Sequence, residues 1–474
     1  MHRSMYVDTV AERSHFTRSE WKNAGISGYN PIHEVKKVTH GRVHRPDTRK
    51  CLRFAMMFSM AFCVAYGITA DDRADFYADY TEFGMRWWGN TGLTAFPVLE
   101  IPLGGRHEAM GGAFTAAGPD VGALNANPAA TATLRYTELA LSHKNHIADS
   151  SIESLGYAIR FDDLGLGADA RYLHVPFTAR DDRGQQTESV RYSEFAGLLN
   201  VSYNLFRSYY FHGLSVGLNT RLAHRSVPES ISPGQSATAV AVDIGFLTRF
   251  NVLKFHSARE RNLSVGLVAR NLGPAVLGDP LPTHIAGGIA YRPIRPLLIA
   301  FDAEFPVSLY EGVPAAPPAV QTGINVQITD FFDAGAGFRL KGGNPRFSLG
   351  GNLDFDEVSL AAVYTLDLTT SLRAPDNFSI QARFNFGDRG RLARRERLED
   401  LYLDGLVSLV EGELSQAVSL LEQAVALDPA FNPAVETLAS ARRSLELQQD
   451  MFRLGDLEEL DRDPGLLLQE GETE

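Results

Sequence analysis

One serine lies in a pattern that certain hydrolases use. Residues 213–217 read Gly-Leu-Ser-Val-Gly, which matches the G-x-S-x-G motif. In those enzymes the nucleophile lies on a sharp turn between a strand and a helix. Ser215 instead lies within a run that alternates apolar and polar residues. We therefore expect an ordinary strand here and no catalytic serine.

Other patterns for catalysis or metal binding do not occur in the sequence. The histidines are scattered without an H-E-x-x-H spacing, and the glycine-rich stretches lack the G-K-[ST] of a phosphate-binding loop. Both cysteines, Cys51 and Cys63, lie near the N-terminus, so the rest of the chain has no thiol chemistry and no cysteine zinc site. We predict a protein that is not an enzyme, with no catalytic residue, metal site or cofactor.

Several charged residues fall on the polar side of alternating runs, and they face a lumen if the apolar side meets lipid. The lumen-facing candidates are Asp169, Arg171, Arg221, Asp243, Asp302, Glu304 and Arg383. They could pair with one another in a hydrated interior. Alternatively some of them, chiefly Arg171 or Arg221, could meet the acidic head group of a substrate.

The alternation itself predicts an all-β body over residues 137–387. In residues 377–386, Phe378 and Ile380 share a face with Ala382, Phe384 and Phe386, and polar residues occupy the other face. About 14 such runs follow one another. A soluble sandwich would also alternate, so the lengths of the connections decide between the two architectures.

The connections alternate in length along the chain. Those at 162–163, 292–296, 329–330 and 355–356 are tight, whereas those at 175–188 and 225–236 are long. The connection at 251–261 is an exception, because it is long but falls on the rim of the tight turns. Short turns on one rim and long loops on the other are typical of an outer-membrane barrel. Aromatic residues near strand ends fit its interfacial girdles: Tyr209, Tyr210, Phe211, Tyr291 and Phe305.

The segment before the first strand is unsuited to spanning. Residues 103–132 contain six glycines and nine alanines, and glycine weakens strands while proline cannot join a central ladder. We expect tight turns and short helices packed in a confined space, such as a lumen.

This segment resembles the N-terminal hatch of the FadL superfamily, which includes long-chain fatty acid transporters, PorV-like proteins and uncharacterised spirochaete outer-membrane proteins. The resemblance covers roughly residues 100–390 and is strong over about 30 of them. It is nearest to the spirochaete group. It is carried by Ala113, Ala123, Leu124, Ala129 and the hatch candidates Gly105, Arg106, Met110, Gly111, Gly112, Asp120, Asn127 and Pro128. It implies a 14-stranded barrel with the hatch inside the lumen, where displacement of the hatch releases cargo.

The C-terminal region becomes charged, leucine-rich and helical after Arg391. Residues 398–431 resemble a tetratricopeptide repeat, with packing and helix-ending positions at Leu401, Gly405, Gly412, Ala417, Ala424 and Pro429. A further helix is expected at about 433–453. A plain helical hairpin without a binding role is the alternative. One repeat falls short of the three or so that stand alone, so we expect it to pack on the barrel rim or on a partner.

The N-terminal region reads as an extension followed by a signal peptide. A basic stretch precedes the apolar run 54–66, which is too short to anchor in a bilayer, and an acidic start follows Ala70. The predicted organisation is therefore an extension and signal peptide (1–70), an N-terminal segment and hatch (71–136), a transmembrane barrel (137–387), a helical domain (388–463) and a polar tail (464–474).

Charge and hydropathy narrow the function further. Net charge is −12 overall, which argues against a nucleic-acid partner, and no later apolar run is long enough for a polytopic helical membrane protein. We expect an outer-membrane channel for hydrophobic small molecules, with long-chain fatty acids implied by the resemblance. Its partners would be membrane lipid, the ligand and a periplasmic protein held by the helical domain. The alternative is a PorV-like scaffold that does not transport and binds secreted or periplasmic proteins.

Overall fold

The structure, a computed structural model, describes residues 94–146, 149–180, 183–255, 261–310, 315–367 and 377–462, with side chains described as far as residue 454. The predicted extension, signal peptide and polar tail lie outside the described residues, as do both cysteines.

Antiparallel strands close into a 14-stranded barrel, which confirms the predicted fold class. Each strand pairs with its neighbours in sequence, and β1 pairs with β14 to close the sheet. The strands are β1 Glu138–Asn145, β2 Ser151–Phe161, β3 Leu164–Arg180, β4 Gln186–Leu205, β5 Leu214–Ser226, β6 Ala237–Phe250, β7 Leu263–Leu272, β8 His284–Tyr291, β9 Leu297–Pro306, β10 Ala319–Gln327, β11 Phe332–Lys341, β12 Asn344–Asp354, β13 Val358–Asp367 and β14 Asn377–Asn385.

Side chains alternate between the outside and the lumen because the side-chain period of a strand is two residues. In β13, Leu360 is 47% exposed on the outside, whereas Ser359 and Ala361 face inward and are buried. Cross-strand pairing keeps this alternation in register, since Leu360 lies opposite Ala382 of β14. The outer wall is therefore apolar and the inner wall mostly polar.

The lengths of the connections agree only in part with the prediction. Residues 162–163, 292–296 and 355–357 are short connections on the rim where β2, β8 and β12 end, but 206–213 and 251–262 on that rim are long. The long loop expected over 175–188 is wrong. β3 runs to Arg180 and β4 begins at Gln186, so most of that stretch is a two-stranded extension of the hairpin.

Residues 94–134, which we call the plug segment, lie inside the barrel. They contain a single turn of helix, α1 Gly105–Ala109, and three short 3₁₀ helices, Pro97–Leu99, Val121–Asn125 and Pro128–Thr133. Their side chains are largely buried, with Phe96, Met110 and Leu124 at most 1% exposed. Contacts to inward-facing residues of strands all round the barrel place the segment in the lumen.

Inward-facing glycines of the wall make room for the plug segment. A Cβ on Gly337 of β11 would collide with the backbone of Met110 and Gly111, and one on Gly217 of β5 would collide with the backbone of Pro128. Gly287 faces outward on β8 and has nothing within 4 Å of that position. The glycine pattern of the inner wall is thus matched to the path of the plug backbone.

In the part of the chain that the structure describes, three helices follow the barrel: α2 Arg391–Glu411, α3 Leu414–Leu427 and α4 Asn432–Arg462. The described residues divide into a unit of 94–400 with 424–436 and a second unit of 401–423 with 437–462. Within the second unit, Leu401, Ala417 and Leu421 are buried, and a Cβ on Gly405 would meet Leu421. Gly412, between α2 and α3, has a φ of 85°. In the first unit, Ala424 is buried and Pro429 follows the end of α3.

The helices extend beyond the predicted frame, because α2 begins at Arg391 and α4 runs on to Arg462. The assignment of a tetratricopeptide repeat stays a prediction. Among the described residues, no helix has both the length and the apolar character needed to cross a bilayer.

Candidate functional site: the plugged lumen

The N-terminal end of the plug segment covers an apolar patch of the inner wall. Phe96, Val98 and Leu99 form one buried cluster with inward-facing wall residues. The wall members are Ile152, Leu173, Ala196, Ala223, Ala239 and Ala241. Two further apolar clusters join plug and wall, one that includes Leu247 and Leu298 and one that includes Leu198. The patch is therefore one of several apolar surfaces in a mostly polar inner wall, and the plug shields it from water.

A carboxylate of α1 ties the plug to the strands that close the barrel. Glu108, which is 2% exposed, accepts from Lys144 of β1 at 2.7 Å and from Ser379 of β14 at 2.6 Å. Thr365 of β13 donates to the same carboxylate at 3.2 Å. The backbone N–H of Gly104 donates to it as well, at 3.0 Å. This buried charge is therefore paired and saturated with hydrogen bonds, as a charge removed from water must be.

A second ionic contact lies within the plug itself. Arg106 reaches Asp120 at 2.5 Å, and Arg383 of β14 approaches the same carboxylate at 3.5 Å. Burial alone would raise the pKa of Asp120, but Arg106 and Arg383 hold this pKa below its usual range. Burial alone would lower the pKa of Arg106, but Asp120 raises it above the usual value. Both groups stay charged and hold the two ends of the glycine-rich stretch together.

Turns of the plug use glycine where the backbone demands it. Gly111 and Gly112 have φ angles of 65° and 89°, a region that favours glycine. Asn127 is extended, with a φ of −152°, and its side chain accepts from the N–H of Ala129 at 3.0 Å. It also donates to the carbonyl of Phe246 in β6 at 3.0 Å, so this predicted hatch residue joins plug and wall.

The plug backbone is also held by carboxylates of the wall. Asp302 of β9 accepts from the N–H groups of Phe114 and Thr115 at 2.8 and 2.7 Å. Glu194 of β4, which is fully buried, accepts from the N–H of Val98 at 3.0 Å. Irregular backbone inside a barrel has polar groups that must find partners, and the inward charges supply them.

The two arginines predicted as head-group sites are both engaged. Arg171 pairs with Asp169 at 3.1 Å and donates to the carbonyl of Ile101 at 3.0 Å. Arg221 pairs with Asp243 at 2.6 Å and donates to the side chain of Asn125 at 3.0 Å. Each arginine therefore has one wall partner that stays and one plug partner that would leave with the plug.

Glu304 completes the set of inward charges. It accepts from Arg270 at 2.5 Å and from Arg339 at 3.2 Å. Together with His107 these residues line a polar cavity of about 20 Å³ between plug and wall. A cavity needs on the order of 10–15 Å³ to hold one water molecule. This space is therefore too small for a hydrophobic cargo while the plug is in place.

His107 of α1 is buried and stacks on Phe114, with ring centroids 5.2 Å apart. Burial, reinforced by the charges of Arg171 and Arg270, lowers the pKa of His107 to about 3. The imidazole is therefore neutral at neutral pH, and a proton on it would be a buried charge inside the plug.

A large apolar groove lies on the outer wall. It has a volume of about 930 Å³ and is lined by outward-facing residues from β1 to β4 and from β11 to β14. Its aromatic lining residues are Tyr172, Phe195 and Phe332. The small residues Ala170, Ala362 and Ala382 give the groove its depth.

Sequence reasoning missed several residues of the lumen. Lys144, Glu194, Arg270 and Arg339 all face inward and bind the plug or its partners, yet they were not among the candidates. Their position on the polar side of an alternating run was a usable signal. Glu108 gave no such signal, because it lies in a segment without period-two alternation.

The remaining predictions concern chemistry. Ser215 is the second residue of β5, faces inward and donates to Asn204 at 3.2 Å, and the chain continues from it as a strand, so it is not on a strand-to-helix nucleophile elbow. Within the described ranges, no cluster of three or more His, Cys, Asp and Glu side chains is arranged to hold a metal ion.

Fold and site together define a β-barrel of 14 antiparallel strands whose lumen is occupied by its own N-terminal segment. The chain belongs to the family described as "Uncharacterised protein family (UPF0164)", which it matches over residues 86–388. Two UPF0164 proteins of Treponema pallidum (strain Nichols) are similar to it. One is 28% identical over 374 residues, covering 76% of this chain and 85% of the relative, and the other is 24% identical over 390 residues, covering 74% and 76%.

Solved structures with some likeness include the CymD monoaromatic hydrocarbon channel, with a TM-score of 0.45 and 12% identity over 62% of this chain and 99% of that one. The toluene transporter TbuX of Ralstonia pickettii has a TM-score of 0.41 and 13% identity over 60% of this chain and 98% of that one.

Proposed function

We propose that this protein is an outer-membrane channel that passes hydrophobic small molecules, with the plug segment acting as a hatch. The observation that carries the proposal is the apolar patch inside the lumen, which Phe96 and Leu99 cover. A lumen that only conducts water and ions has no need of such a patch. Once the plug moves, the patch offers a surface for a hydrocarbon.

The outer wall supports a location in a membrane. Large apolar side chains face outward along the strands, with Leu199 70% exposed and Phe301 49% exposed. Exposed aromatic residues lie near the strand ends, as an interfacial girdle requires, including Tyr209, Tyr210 and Phe305. In water such a surface would be a large aggregation liability.

The plug is fixed in a way that permits movement. It donates to and accepts from inward side chains and wall carbonyls, while the strand ladders are complete without it. Breaking these contacts leaves the sheet intact. Water entering the lumen could replace the lost hydrogen bonds, which reduces the cost of displacement.

An acidic head group is the chemistry that the opened lumen fits best. Arg171 lies two residues before Leu173 of the apolar patch on the same face of β3, and it would lose its hydrogen bond to Ile101 when the plug leaves. Arg221 would likewise lose its bond to Asn125. A long-chain fatty acid, with a carboxylate beside a hydrocarbon chain, satisfies both features, because arginine binds carboxylates through charge-assisted hydrogen bonds.

Uptake into lipid vesicles that contain the purified protein tests this function. A fluorescent long-chain fatty acid should enter faster than into empty vesicles, and Arg171→Gln should slow its entry. Arg180→Gln removes the same charge from an exposed position and serves as the control. Entry at the rate of empty vesicles for the wild-type protein would contradict the proposal.

A scaffold that binds secreted or periplasmic proteins is the second candidate. The turn after α3 is fastened to the barrel, since Arg207 contacts Asp428 at 2.9 Å and Phe431 stacks edge-on against Tyr209 at 5.3 Å. In the helical unit, Leu447 and Met451 of α4 are 65% and 72% exposed. Stoichiometric recovery of one periplasmic protein that is lost on removing residues 401–474, together with no fatty-acid entry, would favour this role.

A further inference from the structure

The junction between β14 and α2 has a high density of arginine. Residues 388–397 contain five of them, against the two acidic residues Asp388 and Glu396. The arginines are Arg389, Arg391, Arg394, Arg395 and Arg397. The stretch therefore carries a net charge of about +3 in a chain whose overall net charge is −12.

The backbone holds this junction at the rim of the barrel. Gly387, Arg389 and Gly390 have φ angles of 79°, 59° and 75°, which turn the chain sharply out of β14. Asp388 then accepts from the N–H of Leu392 at 2.5 Å and caps α2. The N–H of Thr137, next to β1, donates to Gly387 at 2.9 Å. The arginines are thus presented on a defined turn that is hydrogen-bonded to the barrel.

Along the barrel axis, Arg389 is level with the last outward-facing aromatic residues of the strands. Its guanidinium carbon is 4.3 Å from the ring centre of Phe161, the last residue of β2, which faces outward and is 41% exposed. Phe386, also outward, is 60% exposed. Aromatic side chains concentrate at the boundary between hydrocarbon and headgroups, so Arg389 lies at headgroup level in the membrane of the proposed function.

The arginines divide into two groups. Arg391 donates to the carbonyl of Arg135 at 2.7 Å, and Arg394 pairs with Asp162 at 2.9 Å, so both fasten the helix to the barrel. Arg389, Arg395 and Arg397 are exposed, and Arg395 has a surface ion pair with Glu399 one turn further along α2, at 3.3 Å. A guanidinium can bind a phosphate through two parallel hydrogen bonds, which makes exposed arginines at headgroup level suited to phospholipids.

An apolar side chain accompanies these charges. Leu392, in the first turn of α2, is 57% exposed. Basic and apolar residues that share a short stretch are typical of segments lying at a membrane surface. The positive charge, the position beside the outward aromatic residues at the rim and the exposure of these side chains all fit the anionic headgroup of a phospholipid.

We propose that residues 388–397 bind the headgroups of anionic phospholipids in the leaflet at the rim where β2, β8 and β12 end. This inference rests on the membrane location of the proposed function, but not on transport. A basic side chain near an anionic membrane surface contributes roughly a fivefold gain in affinity, so three exposed arginines should together contribute at least about tenfold.

The test measures how much phosphatidylglycerol the full-length protein retains in detergent, by native mass spectrometry, in competition with phosphatidylcholine. The variant Arg389→Gln/Arg395→Gln/Arg397→Gln should retain at least about tenfold less phosphatidylglycerol than the wild type. The matched control is Arg442→Gln/Arg443→Gln/Arg453→Gln, which removes the same charge from exposed positions of α4 and should retain as much as the wild type. Should the triple variant misfold, the double variant Arg395→Gln/Arg397→Gln leaves the turn intact and should lose about two thirds of the effect on a logarithmic scale.

Two readouts separate this inference from the proposed function. Faster gel migration before heating than after shows that the barrel is folded, and retention in membranes after carbonate washing shows that it is integral. Release by the wash would overturn both proposals. A folded, integral protein in which junction and control variants lose phosphatidylglycerol equally, or neither loses it, would overturn the lipid site alone.

Discussion

Lys144 of β1 and Glu108 of the plug segment form an ion pair of 2.7 Å in which both side chains are at most 5% exposed. This pair connects β1, which pairs with β14 to close the barrel, to α1, the α-helical turn of the plug segment. Removing one partner of a buried pair is costly, because the other charge stays buried without compensation.

Lys144→Met should therefore loosen the plug by about 3–5 kcal/mol, since Glu108 would keep only neutral donors. The measurement is the temperature at which the plug becomes accessible to protease in the folded barrel. Lys341→Met breaks the more exposed pair with Glu100, where both side chains are about one quarter exposed, and should cost much less. Similar costs at both sites would show that the buried pair does not hold the plug.

Gly337→Ala tests the match between wall and plug. The added methyl group would collide with backbone atoms of Met110 and Gly111, so the plug must shift and the channel should leak. We expect a cost of about 1–3 kcal/mol, as for overpacking in a core. Gly287→Ala adds the same group where the space is open, so ion leak through planar bilayers should rise for the first variant alone.

The direction of side chains in β13 can be checked with arginine. Leu360→Arg or Ala362→Arg places a charge on the lipid face and should destabilise the barrel by roughly 2–4 kcal/mol near the bilayer midplane. Ala361→Arg points into the lumen, where the polar side chains of Asn352 and Gln381 lie opposite it, and should be milder. Unfolding in denaturant with lipid present measures both, and equal losses would mean that the register is wrong.

Acid should loosen the plug through His107. Its pKa is about 3 in the folded protein, below the ordinary value of 6.5, so the displaced plug binds the proton more tightly. Neutral His107 therefore stabilises the seated plug above pH 6.5, and this stability is lost as the pH falls from there toward 3. Over that range the equilibrium constant between seated and displaced plug should change by up to roughly tenfold per pH unit. Protease access to the plug should increase over this range in the wild type.

His107→Gln should flatten that pH dependence. The exposed residue His224 provides the control, because His224→Gln removes a titrating imidazole away from the plug. An unchanged pH profile in His107→Gln would assign the acid response to other groups.

Period-two alternation was enough to predict the closed sheet, because each strand carries its own apolar and polar faces. It failed at the β3–β4 hairpin, where Thr178, Arg180 and Glu188 are strand residues without an apolar face. The polarity that marked this stretch as a loop reflects a ladder that extends past the outward apolar band. Strand ends of this kind depend on pairing with a neighbour, which composition does not report.

The contents of the lumen were harder to predict than its wall. Asp302 and Glu304 could be placed on the inner face from sequence, but their partners, the N–H of Phe114 and the side chain of Arg339, lie far away in the chain. The positive φ angles of Gly111 and Gly112 were predictable, since a tight fold requires them. Which wall glycine each turn would touch could be known only from the assembled barrel.

The central claim is that the plug closes a channel, and the deletion of residues 103–130 tests it most directly. The deleted protein should still fold, shown by faster gel migration before heating than after, because no strand ladder depends on these residues. In planar bilayers its conductance and its passage of a hydrophobic dye should rise sharply above those of the intact protein. A folded barrel that stays as closed as the intact protein, or a barrel that no longer assembles, would contradict the account.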